Sequence, residues 1–445
     1  MSPHPRITAV LSACAVVLGA AVLMTSCGSS GNGTGAQATT PVMKDSTGTV
    51  GSRTNLRLGF VTTVQHPYGL ALAAFARRVT ALSNGKVGVS LTAAYGGGDD
   101  LALLTEIRSG AIDGGSVSAS VWQGVGVQSF EALQMPFLIT NYAVERSVIT
   151  SPLAAEMLKG TQALGLTGLA IHEGGLRKPA AVDGCLVEPP DFVGVQMRSV
   201  QSDLLAQSIT ALGAVPTAMP LSEVAHAVED GSLNAIEANV GLVYTQKFYE
   251  VLTCMSGNVN LWPFPAVLVV GDAAWNAIPA ADRAIITRAA GSLAADSLDI
   301  LTDPASTLMA DLCKAGDGFF YFGTATKAQL ATLREAVQPV YDRYEKVDPT
   351  GGFVRRIEAI KARTAQPAPA PYPPGAPRSQ TQGGQVHPGG YVSNWYALDA
   401  TRKAPIAVPP TAIARSVCDS IHARIAVATR CARSGRTAAP TSSTM

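Results

Sequence analysis

Charge is scarce in this chain. Lys and Arg number 33 and Asp and Glu 32 among 445 residues, for a formal net charge of +1. Such a balance excludes the basic domain on which nucleic-acid binding rests. Histidine is rarer still, at six. There is no HExxH, no GxSxG, no Walker glycine loop and no GxGxxG opening a helix, so the motif-borne enzyme chemistries have no foothold. No two cysteines lie at the close spacings of a zinc site. Neither a metal nor a cofactor is expected. What is plentiful is apolar: 47% of residues are hydrophobic. That share suits a soluble body with a sizeable core, and the length allows two or three domains.

The ends differ from the middle. "MSPHPR", then the apolar run "ITAVLSACAVVLGAAVLM", then "TSCGSSGNGTG" read as an export leader over residues 1–27. Small residues before Cys27 and a Gly/Ser stretch after it resemble a bacterial lipobox, with Cys27 as the lipidated residue. An uncleaved membrane anchor is the alternative. Either places the remainder outside the cytoplasmic membrane. Residues 28–53 are a flexible tether in composition. Residues 364–445 begin with "TAQPAPAPYPPGAPRSQTQGGQVHPGG", too rich in Pro and Gly for a core and expected to be largely disordered. Their basic end suits either contact with anionic lipid or wall polymer, or a solvated tail. Beyond Cys14 and Cys27 stand Cys185, Cys254, Cys313, Cys418 and Cys431. Five is odd, so at least one is unpaired or pairs between chains. Cys185–Cys254 and Cys418–Cys431 are the expected bridges; buried free thiols are the alternative.

Residues 54–363 read as one folded α/β body. "LRLGFVT", "GKVGVSLTA" and "IDGGSVS" are strands. The helices "YGLALAAFARRVTALS" and "DDLALLTEIRSG" lie between them, the second capped by Asp99 or Asp100 and ended by Gly110. That order predicts a parallel sheet with helices on both faces, and ligands bind such sheets beyond the carboxyl ends of the strands. A second round follows: "LTGLAIHEGG", "FVGVQMRS", the helix "QSDLLAQSITALG", "AVPTAMP", a helix with Ser222 as N-cap, and "LNAIEAN". Two α/β lobes make a clamshell. The periodicity of "IPAADRAIITRAAGSLAADSLDILTDPASTLMADLCKAG", interrupted by Pro304, predicts a long helix lying across both lobes. "GGG" at 96–98 and the Asp99–Asp100 pair read as a turn and helix caps rather than as an anion seat or paired catalytic acids.

Asp191 to Val251 carries a specific pattern. "LGAVPTAMPLSEVAHAVEDGSLNAIEAN" and "QKFYEV" follow the strand "DFVGVQMRS" without gaps. This resembles the solute-binding receptors of tripartite ATP-independent periplasmic (TRAP) transporters, of the dicarboxylate-receptor (DctP-like) kind. "HPYGLALAAFARRVTALSNGKVGV", "ALQMPFLI", "AAWNAIPAADRAIITRAA" and "LREAVQPVYDRYEK" extend the resemblance over about 55–362. It implies a two-lobed periplasmic-binding-protein-like clamshell that binds a small organic acid, closes by a hinge and delivers its ligand to membrane permease subunits. No reaction is implied. A second reading is an envelope-anchored clamshell lipoprotein acting as a sensor or interaction protein.

The resemblance also places residues. Arg198 ends its strand where the family has a carboxylate-binding arginine, and a guanidinium fork matches a carboxylate. Glu237 falls on the family's glutamate. The asparagine that should follow is Ala238, and Asn239 comes one residue later. Arg177 matches the arginine of "GGLR". With Ala180 and Val182 apolar nearby, the departures point to a ligand with one carboxylate and an otherwise less polar body. Loops after strands add His66, Tyr68, Ser118, Trp122 and Tyr244 as cleft candidates.

Overall fold

The computed structural model describes residues 53–302, 305–316 and 319–365. The leader, Cys27, nearly all of the tether, the Cys418–Cys431 pair and the chain beyond residue 365 lie outside the described residues. Eleven strands are described: β1 Thr54–Phe60, β2 Val87–Thr92, β3 Gly114–Ser118, β4 Leu166–Glu173, β5 Lys178–Ala181, β6 Gln196–Ser199, β7 Val215–Ala218, β8 Ala235–Ala238, β9 Cys254–Ser256, β10 Pro265–Gly271 and β11 Tyr321–Gly323. They form two sheets, ordered β2-β1-β3-β10-β4 and β11-β9-β5-β8-β6-β7. Each sheet is the centre of one lobe of an α/β clamshell.

Neither sheet is purely parallel. The β1–β2, β1–β3, β6–β7 and β6–β8 pairings are parallel. β10, however, runs antiparallel between β3 and β4, and β5 is antiparallel to β8 and β9. The antiparallel strand arises because β10 enters the first lobe on the chain's return from the second. No helical crossover precedes it, so nothing forces a parallel direction. It is buried on both faces: Val267 and Val269 join one apolar cluster, Leu268 and Val270 another. Each such fully buried side chain contributes about 1.5–3 kcal/mol.

The first helix, α1 (Pro67–Leu82), starts with Pro at its first position and buries Leu72, Phe75, Ala76 and Val79 against the first sheet. Arg77 faces outward and Arg78 pairs with Asp296. Helix α2 (Asp100–Ser109) is capped by Asp99 and ends at Gly110, whose φ of 80° suits glycine. Ser222 is not a cap. A 3-10 turn, Leu221–Glu223, follows Pro220, and Glu223 takes the cap position of helix Val224–Glu229.

The long helix is broken. Helix Ala280–Ala290 stops at Gly291, Leu293–Thr302 resumes, and Ala305–Ala315 follows. Glycine in a helix interior is unfavourable; Pro304, the expected interruption, lies outside the described residues. The segment still runs from lobe to lobe: Ile286 and Leu293 pack in the first lobe's core, Leu312 in the second's.

The chain passes between lobes after β4 and returns after β9. The two crossings are joined by an antiparallel bridge between Arg177 and Trp262. A Cβ on Gly175, at φ 123°, would come within 2.9 Å of Asn239 Cβ. Glycine is required there on both counts. The apolar cluster that takes in Val267 and Val269 also holds Phe130, Met197, Leu205 and Tyr344, and so runs through both lobes. Cys185 is bonded to Cys254, tying the loop after β5 to β9, and Cys313 is free.

Candidate ligand-binding cleft

β6 begins after Gly194, whose φ of 78° turns the chain out of the short helix Pro189–Phe192. That turn leaves only Gln196–Ser199 for the strand. Met197 is anchored in the core, and Arg198 stands near the strand's carboxyl end. The parallel run of β7, β6 and β8 brings three carboxyl ends to one edge of the second sheet. The loops after β2 and β3 meet them from the first lobe.

A cavity of about 260 Å³ lies between. Asp99, Asp100, Leu101 and Val121 line it from the first lobe; Arg198, Val200, Ala218, Met219 and Pro220 line it from the second. This is the crevice where α/β sheets bind ligands. A larger, open groove of about 420 Å³ lies on the outside of the first lobe, between α1 and helix Leu293–Thr302. Its Arg78 is already paired with Asp296 at 2.7 Å.

Arg198 is 4% exposed. Its Nε and Nη2 donate to Met219 O at 3.2 and 3.0 Å, and Nη1 lies 3.7 Å from Glu237 Oε1. Burial draws its pKa down to about 10, with Glu237 opposing, so it stays cationic at neutral pH. Glu237 is fully buried, with Oε2 at 2.7 Å from Arg177 Nε. Burial raises its pKa, and Arg177 and then Arg198 pull it back. Arg177 is buried too, its guanidinium 3.9 Å above the Phe264 ring. Two guanidinium groups thus share one carboxylate, and Arg177 holds the short contact.

The other expected residues are brought together, but not on the cavity wall. Asn239 caps helix Val240–Thr245, accepting from Leu242 N at 2.7 Å, and its Nδ2 is 3.3 Å from His66 Nε2. That contact joins the lobes. Ala238, in the family's asparagine position, faces the second lobe's apolar core. His66 Nδ1 accepts from Tyr68 N at 3.2 Å, and Tyr68 stacks on Phe264. Burial, then Arg177, hold the His66 pKa down to about 3. Ser118 Oγ is 2.9 Å from Ser120 Oγ.

Two aromatics lie elsewhere. Trp122 is fully buried and packs edge-on to Phe130, because the turn after β3 points it inward. Tyr244 is 38% exposed on a short surface helix and pairs with Tyr249, off the cavity.

Of the residues on this wall, sequence reasoning singled out Arg198 alone; among those it missed is a buried acid. Asp99 is the cap, accepting from Leu101 N and Ala102 N at 2.8 and 3.2 Å. Asp100, read with it as a cap, is 8% exposed on the cavity wall. Two acids where one cap suffices were the available signal.

Residues 58–347 match the model of the family described as bacterial extracellular solute-binding protein, family 7. The chain belongs to that family. A C4-dicarboxylate-binding periplasmic protein, DctP, of Rhodobacter capsulatus is 27% identical over 311 residues, 70% of this chain and 91% of that protein. Among solved structures, a TRAP periplasmic solute-binding protein of Bradyrhizobium in complex with galacturonate aligns at a TM-score of 0.64 and 25% identity, over 68% of this chain and 99% of that one. The sugar acid-binding protein of Advenella mimigardefordensis, in complex with galactonate, aligns at 0.65 and 23%, over 71% and 99%. This chain is therefore a DctP-like TRAP solute-binding protein.

Proposed function

We propose that this solute-binding protein captures a small organic carboxylate at Arg198 and hands it to the membrane permease subunits of a TRAP transporter. It works on the outer face of the cell membrane, tethered through a lipid on Cys27. No reaction is catalysed.

One observation carries the reading. Arg198 lines the cleft as a buried cation, while the acid beside it makes its short contact to Arg177. A buried cation that must share the acid beside it, at 3.7 Å, with a second arginine is only partly compensated, which is costly. A ligand carboxylate on the guanidinium fork would remove that cost and join the lobes by charge-assisted hydrogen bonds. Closure then follows as a population shift about the crossings at Arg177 and Trp262. The relatives named for C4-dicarboxylates, galactonate and galacturonate all take carboxylates. The cavity is smaller than the roughly 300–1,000 Å³ of drug-sized sites, and much of its wall is apolar. A short ligand with one carboxylate and a less polar body fits it.

The test is a thermal-shift and calorimetry panel of short carboxylates, each paired with its neutral amide. Carboxylates are expected to raise the melting midpoint and their amides to leave it unchanged. Binding of neutral sugars or amides alone would overturn the reading.

A further inference from the structure

Asp100 stands across the cleft from Arg198, and its position has chemical consequences for the ligand. It opens α2, but Asp99 supplies the cap. The residue is 8% exposed. Oδ1 accepts from Ser118 N at 2.8 Å, the one hydrogen bond that reaches this carboxylate among the described residues. No salt bridge is formed to it there either. The charged groups that act on it are Asp99 on its own loop, Arg198 on β6 and Arg177 at the crossing between the lobes.

A ligand carboxylate seated on Arg198 directs the far end of a short molecule toward the first lobe. A second carboxylate there would meet Asp100 as a like charge in a small, poorly hydrated space, or bind only by forcing a proton onto the pair, a cost that grows as pH rises. A hydroxyl or ammonium group would instead donate to it. The carbon chain between finds Leu101, Val121, Ala218 and Met219.

We propose that Asp100 sets the ligand class: a short monocarboxylate whose far end carries a hydroxyl or ammonium donor, with dicarboxylates refused. The inference rests on Arg198 as the carboxylate anchor. Titration follows from the same geometry. Burial lifts Asp100 to about 7, with Ser118 N, Arg198 and Arg177 opposing and Asp99 reinforcing. A hydroxy acid's hydroxyl favours the charged form of Asp100 while its own carboxylate opposes it, so little proton is exchanged on binding and its affinity changes little through neutrality. An amino acid's ammonium favours the charged form at close range, so its affinity rises with pH.

Calorimetry on the full chain tests this with two matched sets: malonate, 3-hydroxypropionate and β-alanine; succinate, 4-hydroxybutyrate and 4-aminobutyrate. In at least one set the hydroxy or amino acid is expected to bind on the order of tenfold or more tighter than the diacid. Asp100→Asn keeps the acceptor for Ser118 N, and is expected to close that gap and flatten the pH profile. For the amino acids the wild-type profile between about pH 6 and about pH 8 carries the test without any variant: affinity is expected to rise with pH, and a fall would overturn the proposal. Preference for the diacids, or a gap and profile unchanged in Asp100→Asn, would overturn the proposal. If no carboxylate binds, or binding persists in Arg198→Ala, the anchor reading has failed instead.

Discussion

Arg177 and Arg198 are the same residue type, both buried, and both act on Glu237. They differ in what else surrounds them. Arg177 has Glu237 at 2.7 Å, Phe264 beneath it and backbone bonds to Trp262 and Leu261. Arg198 has Glu237 at 3.7 Å, a single carbonyl at Met219 and a cavity in front. The first guanidinium is enclosed by protein on each side that the contacts define. The second is held in place from behind. A shared acid therefore divides one pair of cations into a structural one and a binding one, and the geometry tells which is which.

That division has measurable consequences. Arg177→Met strips the short partner from a buried carboxylate at the crossing between the lobes. It is expected to lower the unfolding free energy by about 3–5 kcal/mol in denaturant titration. A loss below about 1 kcal/mol would erase the distinction. Arg198→Ala is expected to do the reverse. Ligand affinity in calorimetry should fall by on the order of a hundredfold or more, while the unfolding midpoint of the ligand-free protein barely moves. Unchanged affinity would remove Arg198 from the site.

How much of this was legible beforehand depends on what each residue's signal consists of. β1 to β3 and their helices could be read because apolar period and caps agree there. β10 could not be read: "PAVLVVG" is apolar throughout, so it shows no alternation, and its partners lie far off in sequence. The break at Gly291 sits inside an unbroken apolar period, which hid it. Arg198 stood out as a charge at a strand-to-helix junction. Asp100 did not, because capping explains an acid at that place and burial cannot be seen in a sequence. Trp122 and Tyr244 follow strands as cleft residues do, yet one turns into the core and the other to the surface. Side-chain direction after a strand is set by the turn, and these turns carry no distinguishing sequence.

A double-mutant cycle sharpens the comparison at lower amplitude. Pairing Glu237→Gln with Arg177→Met is expected to give a coupling of about 2–3 kcal/mol in unfolding free energy. Pairing it with Arg198→Ala is expected to give less than about 1 kcal/mol. Equal couplings would mean that Glu237 belongs to both arginines alike, and that Arg198 has no charge left over for a ligand.

The smallest expected effect is on a neighbour. His66 is neutral because it is buried, and secondly because Arg177 is cationic; Arg198 is not among the groups that act on it. In the folded state its pKa is lowered to about 3, whereas an unfolded histidine titrates near 6.5. Between these values the unfolded chain binds the extra proton. The stability that neutral His66 contributes is therefore complete above about pH 6.5 and is lost as pH falls toward about 3. Arg177→Met should move the His66 pKa upward, though still below 6.5 because burial remains. Arg198→Ala should leave it in place. Ring-proton NMR titration of the two variants reads the difference directly. A His66 that responded equally to both would show that the two guanidinium groups are one electrostatic unit rather than a support and an anchor.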